Sequence, residues 1–265
     1  MKWFAAVLSV FVALGVGEAR AGFDEGAAAY ERGDYATAIR EWRPLAEQGD
    51  VAAQYLFGHM YAKGQGVLQD YAGAMKWYRL AAEQGHASAQ YVVGLSYAGG
   101  QGVPQDYAEA MKWYRLAAAQ GQARAQLKLG LLFAEGQGVP KDDGEAAKWF
   151  RAAAEQGLAD AQHILGLSYA EGQGVPQDDA EAARWYRLAA EQDHTFAQVN
   201  LGSMYANGQG VPQDYVAAHM WFDLSAARGD EKALAVRDTV AGHMTSDQIA
   251  EAQRLAREWT EKHRK

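Results

Sequence analysis

Residues 100–135 read GQGVPQDYAEAMKWYRLAAAQGQARAQLKLGLLFAE, one copy of a unit that recurs every 36 residues. Trp77, Trp113, Trp149, Trp185 and Trp221 keep that spacing, and Gly-Gln-Gly-Val tetrads begin at Gly64, Gly100, Gly136, Gly172 and Gly208. Self-similarity of this length signals a solenoid, in which each unit buries its apolar face on its neighbours. Within the unit, Asp106 to Gln120 has helical spacing. Ala110, Trp113, Tyr114, Ala117 and Ala118 fall at i, i+3, i+4, i+7 and i+8, on one face. Asp106 with Glu109 offers a capping box, repeated by Asp142/Glu145 and Asp178/Glu181. Pro104 belongs to the incoming turn, and Gly121 closes the helix in a conformation of positive φ. A second helix, about 123–134, carries Ala125, Leu129, Gly130 and Phe133. Gly130, matched by Gly58, Gly94, Gly166 and Gly202, would let two backbones approach closely. The unit is therefore expected to be a helical hairpin with a bulky aromatic on one helix and a notch on the other.

The unit recurs through most of the chain. A signal-like segment, 1–21, precedes a degenerate first unit (22–63), with Glu41 at the tryptophan position, Trp42 one residue along, and Pro44 inside a helix it would kink. Five regular units follow at 64–99, 100–135, 136–171, 172–207 and 208–243. Asp193 replaces the helix-closing glycine of its counterparts, at a cost of roughly 1 kcal/mol for an aspartate in the left-handed region. The last unit drifts after Trp221, with Asp223 in place of an arginine. Thr245 with Gln248 then offers a capping box for a final helix through Ile249, Ala252, Leu255 and Trp259, so 244–265 reads as a capping helix and tail.

The pattern GxGVPQDYxxAxxWYRxAAEQGxAxAQxxLGxxYAxG, in five copies of one register, resembles the Sel-1-like repeat, a relative of the tetratricopeptide repeat with a longer inter-repeat loop. The resemblance extends to about His243. It implies an all-α, right-handed α/α superhelical solenoid of about six 36-residue hairpins with a concave inner surface and a C-terminal capping helix. It also implies an adaptor or scaffold for other proteins. Bacterial members of this family are often exported, some acting in envelope signalling, polysaccharide export or host contact.

At the N-terminus, Lys2, the apolar run Trp3 to Val16, and Ala19-Arg20-Ala21 before Gly22 read as a secretory signal. The run is short for a membrane span, although an uncleaved, membrane-tethering N-terminus is the competing reading. Cleavage gives a periplasmic or secreted bacterial protein with no stable membrane insertion. The 265 residues carry a formal charge of −8, which argues against nonspecific binding to nucleic acid or anionic lipid. The absence of cysteine excludes disulfides, thiolate metal sites, cysteine nucleophiles and lipoprotein anchoring.

No catalytic, metal or cofactor site is expected. The Gly-Gln-Gly tetrads follow helices and lack a Gly-Lys-Ser/Thr ending, so turn geometry explains them better than phosphate binding. Seven histidines contain no i, i+4 pair on one helix. His86 and His194 share one loop position three units apart, too distant to share a metal. Paired carboxylates such as Asp142-Asp143 sit at helix N-termini, where they cap. No Gly-x-Ser-x-Gly or Ser-x-x-Lys occurs.

One pattern is a candidate partner surface. The first helices carry basic pairs at i, i+3, namely Lys76/Arg79, Lys112/Arg115, Lys148/Arg151 and Arg184/Arg187, with Arg40/Arg43 in the first unit. They lie opposite the apolar face and would stack into a basic stripe for an acidic peptide or polyanion. Against this stands a solvated face of weak i, i+4 pairs such as Arg79–Glu83. Variation among copies picks out positions that either face a partner or merely tolerate change: Tyr55, Tyr91, Leu127, His163 and Val199 share one, and His59, Leu95, Leu131, Leu167 and Ser203 another. The function expected is a non-enzymatic scaffold for a protein or peptide. The alternative is a structural or polysaccharide-associated envelope component, with exposed aromatics stacking on glycan.

Overall fold

A computed structural model describes residues 20–263. Of the expected signal segment only Arg20 and Ala21 fall among them, and they lie in helix α1 (20–31). The described residues form fourteen helices and no strand. They divide into two compact units between Ala125 and Gln126. The first holds α1, α2 (Tyr35–Glu47), α3 (Val51–Lys63), α4 (Tyr71–Glu83), α5 (Ala87–Gly99) and α6 (Tyr107–Ala119). Helix α7 (Ala123–Glu135) crosses the division. The second holds α8 (Asp143–Glu155), α9 (Ala159–Glu171), α10 (Asp179–Ala190), α11 (Thr195–Asn207), α12 (Tyr215–Ala226), α13 (Glu231–Ala241) and α14 (Ser246–His263).

In both units the closest packing joins an odd helix to the even helix after it, across the Gly-Gln-Gly-Val loop. The glycine notch explains why. A Cβ built on Gly94 of α5 would lie 2.5 Å from Tyr114 Cε1 of α6, and one on Gly166 of α9 would lie 2.6 Å from Tyr186 of α10. The aromatic that fills the notch thus comes from the next helix across the loop, not from the helix before it as the sequence suggested. It is also the residue after the tryptophan. Tyr114 is buried with Ala110, Met111, Ala117 and Ala118, while Trp113 is half-buried. The buried stripe is rotated by about one residue from the expected face, because Met111 joins it. In the first unit of the chain Trp42 takes the tyrosine's place, donating its indole N–H to the Phe23 carbonyl at 3.1 Å, with Gly26 as its notch. Helix α2 runs through Pro44.

The loop also joins successive repeats. Gly100 and Gly102 both have positive φ, and a Cβ on Gly102 would collide with the Tyr71 carbonyl, so this loop lies directly on the first turn of α4. Gln105 Nε2 closes it by donating to Ala98 O at 2.7 Å and to Tyr107 Oη at 3.0 Å. Only half of each expected capping box forms. Asp106 accepts from the Ala108 and Glu109 amides, but its own N–H is taken by Tyr97 O at 2.9 Å, which frees Glu109 to pair with Lys112. At the far end the box is complete: Thr245 N donates to Gln248 Oε1 at 2.8 Å, and Gln248 N donates to Thr245 Oγ1 at 3.3 Å. It opens α14, which packs on α12 with Trp259 edge-on to Trp221, ring centroids 6.1 Å apart.

A buried glutamine ladder completes the core. Gln90 of α5 donates to Ala82 O at 3.0 Å and accepts from Gln120 at 2.8 Å. Gln54 does the same with Ala46 and Gln84, and Gln162 with Ala154 and Gln192. Buried amides so paired tie three helices at each junction.

Candidate interaction surface

The even helices α2, α4, α6, α8 and α10 are amphipathic, with charge along one side. The odd helices α3, α5, α9 and α11 have almost no charged residue between their termini, and apolar or aromatic side chains occupy even their accessible positions. Tyr55, Leu56, Tyr91, Val92, Leu95, Ile164 and Leu167 are half-buried rather than buried. A helix apolar on all sides, in a protein of this size, either lies wholly inside or keeps an apolar face for a partner.

Rings gather on that face. In the first unit His86 caps α5, its Nδ1 accepting from Ala89 N at 3.1 Å, and its ring lies 4.7 Å from that of Tyr55. Burial pulls the His86 pKa below its ordinary value. In the second unit His194 caps α11 in the same way, accepting from Ala197 N at 3.2 Å, while its Nε2 faces Asp160 Oδ1 at 3.4 Å. His163 of α9 stacks on His194 at 4.6 Å, and Asn200 Nδ2 donates to its Nε2 at 3.2 Å. Burial, then the neighbouring His194, takes the His163 pKa down to about 4, with Asp160 opposing. Phe196 packs against both rings, 6.2 Å from His163 and 6.1 Å from His194, and is 67% exposed.

Sequence reasoning missed the His163–His194 pair. The two are 31 residues apart, and that interval brings side chains together only because a 36-residue repeat stacks a loop position of one copy beside a helix position of the copy before. The same interval joins Tyr55 to His86. Among the described residues no group of three or more histidines, cysteines or carboxylates converges to hold a metal.

The basic pairs lie on the even helices, exposed except for the half-buried Arg151, and most are engaged within the chain. Lys112 pairs with Glu109, Lys148 with Glu145 at 2.5 Å, Arg184 with Glu181 at 3.2 Å and Arg79 with Glu83 at 2.9 Å. Arg151 donates to the Tyr169 hydroxyl and lies over its ring, and Arg187 donates to Tyr205 Oη at 2.6 Å. These two arginines tie α8 to α9 and α10 to α11. At the position corresponding to those tyrosines after Arg115 stands Phe133, which has no hydroxyl. Exposed leucines, Leu80 and Leu116, directly follow Arg79 and Arg115 in sequence.

A cleft of about 580 Å³ between α12, α13 and α14 has Leu224, Leu234 and Ala256 in its walls. Its Arg237 is already held by Asp223 at 2.7 Å and Asp238 at 2.8 Å.

With this geometry in view, the family model described as Sel1 repeat matches residues 51–86, 87–122, 123–158, 159–194 and 195–230. The chain belongs to the Sel1 repeat family. The family unit begins at an odd helix and ends after the following even helix, the pair that packs most closely here. A Sel1 repeat protein from Oxalobacter formigenes is 40% identical, with 80% of this chain and 87% of that one covered and a TM-score of 0.75. The protein c5321, a protective antigen of uropathogenic Escherichia coli strains displaying an SLR fold, is 36% identical with a TM-score of 0.85. That match covers 96% of this chain but 56% of c5321. Comparison with curated proteins found no match. Sel1 repeat proteins generally act as protein–protein interaction scaffolds, and theirs is typically a non-enzymatic fold. No helix among the described residues is long and apolar enough to cross a membrane.

Proposed function

We propose that this protein is an exported, non-enzymatic scaffold of the bacterial envelope that binds a peptide or protein partner on the accessible face of its odd helices, in envelope signalling or host contact. The observation that carries this reading is the apolar character of that face, with rings at the recurring positions of Tyr55, Tyr91 and His163. A preformed apolar surface with a few ring anchors is what a peptide-binding scaffold needs, because affinity concentrates in such anchors. Export is supported by the N-terminal sequence, Lys2 followed by the apolar run and Ala19-Arg20-Ala21.

The test is in-cell crosslinking from a photoreactive residue at Tyr91, followed by mass spectrometry. The scaffold reading expects one enriched protein, lost when Tyr55 is replaced by alanine. Recovery of the chain only on isolated cell-wall or polysaccharide material would replace it with the envelope-structural reading.

A second surface is favoured by the exposed Leu80 and Leu116 beside Arg79 and Arg115, a mixed apolar and basic strip suited to an acidic partner. The stripe residues Lys76, Arg79, Lys112, Arg115, Lys148, Arg151, Arg184 and Arg187 belong to this reading. Replacing Lys112, Arg115, Lys148 and Arg151 by serine abolishes capture if the stripe binds. Unchanged capture removes it.

A further inference from the structure

One position of the odd helices varies more sharply than any packing requirement explains. The second residue of α3, α5, α7, α9 and α11 is Ala52, Ser88, Arg124, Asp160 and Phe196 in turn. The glycine, glutamine and aromatic positions around it repeat, so the framework does not dictate this one. At the α9–α11 junction it supplies a carboxylate and, one repeat on, a phenyl ring. His194 lies between them, its Nε2 3.4 Å from Asp160 Oδ1 and its ring 6.1 Å from that of Phe196. His163 lies 4.6 Å from His194 and 6.2 Å from Phe196, extending the aromatic wall. Asp160 and Phe196 are each 67% exposed.

The charges there have one sign. His194 Nδ1 accepts the Ala197 amide proton, so it is unprotonated and the ring is neutral. His163 is neutral near pH 7 as well, because burial holds its pKa at about 4. With both imidazoles neutral, the charge acting on the pair is that of Asp160. What remains is a solvent-facing carboxylate beside aromatic faces. A phenyl ring that is two-thirds exposed contributes little to folding, but its face attracts cations, and a carboxylate accepts a guanidinium fork.

We propose that Asp160, Phe196 and the stacked imidazoles of His163 and His194 form a recognition site for an arginine side chain of the partner. The guanidinium lies against Phe196 and His163 and donates to Asp160. Arginine fits better than lysine because its planar group can stack and hydrogen-bond at once. The acidic chain, with a formal charge of −8, favours approach of a basic segment. This inference rests on the odd-helix face being the partner surface and names the partner's chemistry at one point on it.

The experiment is an NMR titration of the isotope-labelled full chain with the peptide acetyl-Gly-Arg-Gly-amide, and separately with its uncharged citrulline counterpart. The expected result is saturable shifts of the His163, His194 and Phe196 ring signals with the arginine peptide alone. Asp160→Asn and Phe196→Ala each weaken that binding roughly fivefold, the scale of one partly exposed charged or cation–π contact. Both positions are exposed, and unchanged amide spectra establish that the variants are folded. Equal shifts with citrulline, unchanged binding by Asp160→Asn, or no shift at these rings overturns the site. Shifts at Tyr55 and Tyr91 with both peptides would overturn it while leaving the partner face in place.

Discussion

His194 caps α11 only while its Nδ1 is free to accept, and this ties one residue's proton to the stability of a helix. Its counterparts at the same register show the alternatives: Asp50 and Gln122 cap with side-chain oxygen, His86 with imidazole, and Leu158 makes no side-chain cap at all. Protonation would remove the acceptor and place a cation at the positive end of the helix dipole. His86, His163 and His194 all have folded pKa values below the ordinary 6.5, with burial the leading cause, so the unfolded chain binds more protons as pH falls. The titratable groups facing His163 and His194 are each other, Asp160 and Tyr186, and Asp160 opposes the shift of both. The histidines' contribution is complete above pH 6.5 and is lost as pH falls through the lowered folded values, that of His163 lying at about 4. Melting temperature is therefore expected to decline over that window. The decline becomes shallower in a His86→Asn/His194→Asn variant, whose caps do not titrate, and identical slopes would refute the link. Gly94 carries a second residue-scale prediction. Alanine there forces Tyr114 aside and costs about 1–3 kcal/mol, despite alanine's better helix propensity. In a Tyr114→Ala background the same change becomes stabilising, which a double-mutant cycle in urea would measure.

At the scale of elements, the glutamine ladder shows what repetition does and where it stops. Gln198 donates to Ala190 O at 3.2 Å, but its buried Oε1 has no partner, because the next rung is Arg228 instead of glutamine. Arg228 instead turns to Asp193, donating to its carbonyl at 2.8 Å and pairing with its carboxylate. Asp193 is the one non-glycine residue with positive φ among those described. The two departures form one local solution, an aspartate held in a left-handed cap by the arginine that left the ladder. Restoring both regular residues, Asp193→Gly with Arg228→Gln, satisfies Gln198 and relieves the backbone. It is expected to stabilise the protein by about 1 kcal/mol in chemical denaturation, after loss of a partly exposed ion pair. The strained aspartate was legible in the sequence, since the missing glycine stands out against its copies. The ladder was not, because a glutamine that recurs every 36 residues looks the same whether it is buried between helices or lies in water. The notch glycines were legible, but their partners were not: Trp113 and Tyr114 are adjacent, and only the packing across the Gly-Gln-Gly-Val loop decides which one faces a glycine. The spacing of the basic residues was legible, but the tyrosines that engage Arg151 and Arg187 lie 18 residues on, beyond any single-helix pattern.

At the scale of the whole molecule, stability in a repeat array is set by junctions between neighbours, and α12 is covered by α11 on one side and by α13 and α14 on the other. Helix α13 buries only Ala233 and Val240, so it cannot by itself cover the end of the array. Helix α14 supplies the rest, laying Trp259 against Trp221 and burying Ala252 and Ala256, while its outer face carries the Glu251–Arg254–Glu258 ion pairs. Such an amphipathic lid gives the array a polar end. Trp259 is half-buried, and its loss removes part of a large aromatic contact area. Trp259→Ala is therefore expected to cost about 2–3 kcal/mol, below the value for a fully buried tryptophan. The loss should also be local. Hydrogen exchange is expected to accelerate in α12, α13 and α14 first and to leave α4 to α6 unchanged at low denaturant, because each repeat contacts only its neighbours. Uniform acceleration across α4 to α14 would instead mean that the array unfolds as a single cooperative body, and that the terminal helix stabilises every junction rather than its own.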